Sequence, residues 1–117
     1  MIDKIILPNL TDRNGRKYSQ EELEKQPKSV YGSLDARDPR DLDTISHRID
    51  NLRVENGNYV GTFHFLETPL GKIAKSLVDS KVELQTNIIG LGKLTKTEDG
   101  YLVEDFTLIG INLTYDN

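Results

Sequence analysis

The first apolar run, residues 2–7, is short and closed by Pro8-Asn9, which predicts a strand that ends at a turn. The turn-rich Asp12-Arg13-Asn14-Gly15 follows. Ser19, with Glu22 three residues later, has the spacing of a capping box: the hydroxyl accepts from an unpaired helix amide while the carboxylate reaches back. The helix it starts is short, because Pro27 stops it. Val30-Tyr31 reads as a strand fragment, and residues 33–43, polar and carrying Pro39, as a loop.

Residues 45–54 and 59–66 are β-rich runs joined by Glu55-Asn56-Gly57-Asn58, and Asn-Gly is the favoured pair where both central residues need positive φ. With the turn at Asn56-Gly57, Leu52, Val54, Tyr59, Phe63 and Phe65 share one face, the expected core side. Thr68-Pro69 then supplies a cap and a first-turn proline. Leu70, Ile73, Ala74, Leu77 and Val78 repeat at helical spacing behind them, the clearest amphipathic helix in the chain. Residues 82–94 and 101–113 form a second hairpin around Glu98-Asp99-Gly100. The expected fold is α+β: a mostly antiparallel β-sheet or partly closed β-barrel with two flanking helices. Strands and helices do not alternate as a doubly wound parallel sheet requires, and no internal repeat appears.

A length of 117 residues fits one domain, residues 1–117. With 36% hydrophobic and 29% charged residues and no apolar run near the roughly 20 residues of a membrane span, the expectation is a soluble globular protein. Net charge is −4 with both signs interleaved, so no cationic footprint for nucleic acid stands out. The absence of cysteine removes disulfides, thiolate metal sites and thiol nucleophiles together. Met1-Ile2-Asp3-Lys4 is too polar to open a signal peptide, so synthesis in a reducing cytoplasm is expected. Asn9-Leu10-Thr11 and Asn112-Leu113-Thr114 match the glycosylation pattern, which has no consequence without secretion. The chain ends at Asn117 directly after the last expected strand, which reads as little missing.

Candidate chemistry is sparse. The two histidines, His47 and His64, become diagonal neighbours on one hairpin face in the simplest register. Two imidazoles without a third ligand make no zinc site, and Asp50 and Glu67 fall securely on neither face, so the plainer reading is two histidines on the less apolar side. Gly90-Leu91-Gly92-Lys93 lacks the spacing and following hydroxyl of a phosphate loop, and glycine inside a strand points to a bulge or a close approach. Glu21, Glu22 and Glu24 read as a solvated helix face. No cofactor and no metal is expected.

Asn14-Gly15-Arg16-Lys17-Tyr18, Val30-Tyr31-Gly32-Ser33-Leu34-Asp35 and Leu42-Asp43-Thr44-Ile45-Ser46-His47 open a colinear series of segments that spans most of the chain. In that order they resemble the opening Asn-Gly-Arg-x-Tyr, the Leu-Gly-Glu-Leu stretch and the Leu-Asp-x-Val-Ser-His of the prohead core protease family of tailed bacteriophages. Leu66-Glu67-Thr68-Pro69-Leu70-Gly71-Lys72-Ile73-Ala74-Lys75 resembles its Leu-x-Thr-Pro-x-Gly-x-Ile-x-Lys and carries the most weight. Gly90-Leu91-Gly92 and Glu104-Asp105-Phe106 follow in order. The resemblance implies the assemblin-like fold shared with herpesvirus assembly proteases, a β-barrel with helices around it.

The departures fall on the chemistry. Where the family has a His-Pro pair supplying the catalytic histidine, this chain reads Asp35-Ala36-Arg37-Asp38-Pro39. The family's Ser-Ser-Arg-Gly-Leu-Gly aligns with Asn87-Ile88-Ile89-Gly90-Leu91-Gly92, so Asn87 and Ile88 replace the serines and Ile89 the arginine near the oxyanion site. A serine protease needs a hydroxyl nucleophile and a base, and the resemblance therefore implies a catalytically inactive member. Thr86 with His47 is the one relocated pair to weigh. Strand alternation puts Thr86 and Ile88 on the side opposite Asn87. The expected role is a structural, capsid-associated component of the virion: an auxiliary, decoration or minor head protein. It would be made in the host bacterial cytoplasm and would bind the major capsid protein or other phage head proteins, with self-association left open. An active protease with a relocated site and an assembly regulator bound to the true protease or scaffold are the alternatives.

Overall fold

The computed structural model describes residues 2–115; Met1 and the chain end at Asn117 lie outside the described residues. Two sheets make up the body. The first has the order β1-β5-β4-β3, from β1 (Ile2–Leu7), β3 (Val30–Gly32), β4 (His47–Glu55) and β5 (Asn58–Phe65), all antiparallel. The second has the order β2-β7-β6, from β2 (Arg16–Tyr18), β6 (Gln85–Thr97) and β7 (Gly100–Thr114). Here β6 and β7 form the expected antiparallel hairpin, while β2 runs parallel to β7. At one seam the sheets are stitched by a bridge between Leu34 and Leu113. At the other, edge strands β1 and β6 face each other, and the Thr86 hydroxyl donates across the seam to the Ile6 carbonyl at 3.1 Å. The mostly antiparallel, partly closed architecture expected from the sequence is the one observed.

The Asn56-Gly57 turn forms as its residue types require, with φ of 54° and 77°. The expected core side of the hairpin is also correct: Leu52, Tyr59 and Phe63 are buried, and Val54 and Phe65 pack against them. The histidines, however, lie on opposite faces. Val54 faces Tyr59 and Arg53 faces Val60, but beyond a bulge Asp50 faces Thr62 and His47 faces Phe65. Asn51 supplies the bulge, at φ 56°. One extra residue reverses the alternation from there on, so Ile49 and His47 turn into the core, and His64 stands outside across from Arg48. Fully burying a large side chain such as Ile49 stabilises a fold by roughly 1.5–3 kcal/mol, which explains why the bulged register wins over the simple one.

Helix α2 (Pro69–Asp79) starts as expected, the Thr68 hydroxyl accepting from the Gly71 N–H at 3.0 Å and donating to the Ile45 carbonyl at 2.6 Å. Of the expected stripe, Ala74 is buried and Leu70 and Val78 pack against the core, but Ile73 does not. Gly71 sits so close to the Leu66 carbonyl that an added Cβ would lie 2.1 Å from it, and the helix therefore rests on the sheet through Gly71 and Ala74. Ile73, about 100° round from Ala74, is left 50% exposed and is not a core residue.

Helix α1 (Gln20–Glu24) has the Ser19 hydroxyl accepting from the Glu22 N–H at 3.1 Å, but the capping box is not reciprocal. The Glu22 carboxylate accepts instead from the Phe106 N–H at 3.3 Å, so Glu22 is not part of a solvated face. Just beyond, the buried Gln26 carboxamide donates to the Phe106 carbonyl and accepts from the Leu108 N–H, both at 2.8 Å. It covers the edge of β7 where pairing with β2 has ended.

Candidate functional site

The loop that follows β3 is held against the end of β7 by backbone hydrogen bonds and by the side chain of Asn112. Asn112 is fully buried; its Oδ1 accepts from the Ser33 N–H at 2.8 Å, and its Nδ2 donates to the carbonyls of Asp35 at 3.0 Å and Arg37 at 2.7 Å. The Leu113 N–H donates to the Ser33 carbonyl and the Asp35 N–H to the Leu113 carbonyl, while Ser33 Oγ donates to the Thr44 carbonyl. Further along, Pro39 packs on Gly110, where any Cβ would come within 2.7 Å of the ring. The polypeptide carrying Ala36 is therefore fixed relative to β6 and β7.

This anchoring places Ala36 and Asn87 in the wall of one depression of about 390 Å³, together with Arg13, Asn14, Asp35 and Thr114. A longer cleft of about 640 Å³, sharing Arg13, Asn14 and Asn87 with it, opens between β1 and β6. Ile5, Phe65, Val78, Val82 and Ile88 give that cleft an apolar side, and Lys4, Glu83 and Gln85 add polar groups. The one hydroxyl in the small depression, on Thr114, points to the Asp35 carboxylate at 3.3 Å. Asp35 itself has φ 55°, a left-handed conformation that aims its side chain across the depression toward Thr114.

The remaining candidate residues separate. Ile88 packs against the core, and Thr86 is committed to the Ile6 carbonyl. His47 is fully buried, with Nε2 2.7 Å from the Ile111 carbonyl and Nδ1 2.7 Å from Ser46 Oγ. A carbonyl only accepts, so Nε2 carries the proton and Nδ1 accepts from the serine. Burial pushes the imidazole pKa down to about 4, against the opposing effect of the Ile111 hydrogen bond. Both ring nitrogens are spent on structural partners, and the ring stacks on Phe63 with centroids 5.5 Å apart. His64 pairs on the outer face with Asp50 at 3.1 Å, where Asp50 also accepts from Ser29 and Arg48. Among the described residues no three His, Cys, Asp or Glu side chains come together as a metal site.

Gly90 and Gly92 flank register shifts in β6, as strand glycines predict; a Cβ at Gly90 would meet the Phe106 ring at 2.4 Å. Sequence reasoning gave the side chains of Asn112, Ser33, Ser46 and Gln26 no structural role. The signal for Asn112 was a carboxamide amid the apolar alternation of β7, and Asn112 and Leu113 are buried in the fold while Thr114 is half-buried.

No protein-family model matches the chain, and no curated protein does. Among solved structures, the bacteriophage T4 capsid assembly protease gp21 superposes with a TM-score of 0.76 over 98% of this chain and 81% of that chain, at 24% sequence identity. The protein thus has a prohead-protease-like fold.

Proposed function

We propose that the protein is a non-catalytic, capsid-associated component of a phage head, which uses the protease-like fold to bind head proteins. The single observation that carries this reading is that Ala36 and Asn87 face one depression. These are the two positions at which the resemblance places the catalytic histidine and a serine, and a methyl group and a carboxamide supply neither a base nor a nucleophile. Thr114 lies there without an imidazole to take its proton; its acceptor is a carboxylate. Thr86 and His47, the relocated pair, are each engaged elsewhere, and His47 faces the core.

Such an arrangement leaves binding as the activity of the site. The cleft between edge strands β1 and β6 has apolar side chains along it and polar groups at its margin, the makeup of a surface that holds a segment of another polypeptide. Head proteins are the partners this reading assigns, by the nature of the protein that shares the fold.

Purified protein incubated with the scaffold and capsid proteins of its phage, and separately with a serine-directed fluorophosphonate, tests the catalytic half of the reading. The expected results are intact substrates and no adduct. Specific cleavage, or covalent labelling at Thr86 or Thr114, overturns it.

A further inference from the structure

Two exposed patches of opposite character stand at opposite ends of β7. At one end, the loop anchored by Asn112 and Pro39 carries Leu42, 81% exposed. The loop is internally tied: the Thr44 hydroxyl shares its one proton between the carbonyls of Asp38 and Asp41, and the Asp43 N–H donates to the Asp41 carboxylate. Two of its carboxylates are neutralised locally, Asp38 by Arg40 at 3.0 Å and Asp35 by Arg37 at 3.6 Å. Asp41 and Asp43, on either side of Leu42, have no cationic partner among the described residues. The tip is an apolar side chain between two uncompensated negative charges, held on a loop that is already ordered.

At the other end, strand register lines up Lys96 on β6, Tyr101 on β7 and Arg16 on β2 as a row across three strands, because Lys96 faces Tyr101 and Arg16 faces Tyr101. Side chains paired across neighbouring strands share a face, and Leu94, two residues before Lys96, shares it too. Leu94 is 49% and Tyr101 44% exposed. Neither Lys96 nor Arg16 forms an ion pair among the described residues. This patch is apolar and flanked by two positive charges.

We infer that the protein self-associates head to tail, with the Asp41-Leu42-Asp43 tip of one copy seated on the Leu94–Lys96–Tyr101–Arg16 patch of the next. Complementary charge selects the occupant: the acidic tip matches the basic patch in sign and in having an apolar centre. One copy cannot satisfy itself. The loop is fixed at residues 110–113 of β7 and the patch at residue 101, about 30 Å apart along an extended strand. Two different surfaces joined in this way make a heterologous contact, which repeats into a ring or an open chain. The contact is small, so it operates at high local concentration and weakens as salt screens it.

Analytical ultracentrifugation of the purified protein over a concentration series, at low and at high salt, tests this. The expected result is concentration-dependent association that weakens at least tenfold on going from about 20 mM to 500 mM salt, a shift in the sense that charge screening dictates. Leu42→Asp abolishes it, as do Asp41→Lys with Asp43→Lys on one side and Arg16→Glu with Lys96→Glu on the other. Mixing the two charge-reversed proteins restores association, because each then presents the complement of the other. Thermal melts confirm folding, and Leu42→Asp, at a largely exposed site, keeps the test valid if Arg16→Glu disturbs β2. A strictly monomeric wild type at millimolar concentration, or association unchanged by Leu42→Asp, overturns the inference.

Discussion

The side-chain oxygen of Asn112 accepts the Ser33 N–H at 2.8 Å while its nitrogen donates to Arg37 at 2.7 Å, so one buried carboxamide does for the loop what a neighbouring strand would do. Both amide hydrogens and the oxygen are engaged by the loop; the Ser33 partner is fully buried, while the Asp35 and Arg37 carbonyls are partly shielded.

Replacing Asn112 by Ala leaves the Ser33 N–H and the Asp35 and Arg37 carbonyls without their partner. An unmade buried hydrogen bond costs about 1–3 kcal/mol, and the expected loss here is about 3 kcal/mol, measured by urea unfolding. Hydrogen exchange at residues 33–37 accelerates in the same variant. A change under about 0.5 kcal/mol contradicts the assigned anchoring role.

Stability falls with pH through His47. Its pKa in the fold, about 4, lies below the ordinary 6.5, so the unfolded chain binds the proton more readily than the folded one. The contribution is complete above pH 6.5, declines by about 1.4 kcal/mol per pH unit below it, and levels off near pH 4 after a total of about 3 kcal/mol. Asp38 and Asp50, whose pKa values are lowered from 3.8 chiefly by hydrogen bonds from Arg40 and Ser29, lose their contributions only at more acid pH. Urea titrations of wild type and His47→Gln across pH 4–7 isolate the effect: the difference between them slopes if His47 is responsible and is flat if it is not.

Helix α2 distinguishes two neighbours. Ile73→Asp is tolerated, at a cost near that of ordinary surface substitutions, within about 0.5–1 kcal/mol. Ala74→Asp puts a carboxylate into a fully buried position on the same helix and costs several kcal/mol or prevents folding. Melting temperatures of the two variants check the assignment, and equal losses would refute it.

Most of the fold was legible in the sequence because its elements carry local signals: Ser19 and Thr68 cap their helices, Asn56-Gly57 makes its turn, and β6 and β7 keep their β-rich runs. What escaped was set by long-range packing. The Asn51 bulge has no mark in the sequence, yet it decides which histidine is buried. The face that α2 buries depends on how near Gly71 comes to the Leu66 carbonyl, a distance that helical periodicity does not contain. At the candidate site, Ala36 and Asn87 were identifiable only through resemblance, since neither side chain advertises chemistry. Their common depression depends on Asn112, distant in sequence from both Ala36 and Asn87.

Quantitative mass spectrometry of gradient-purified virions decides between a structural role in the head and a role confined to its assembly. The expected result is this protein in mature particles at a fixed ratio to the major capsid protein. Its absence from mature heads, with presence only in proheads or in infected-cell lysate, contradicts the structural role and assigns the protein to assembly instead.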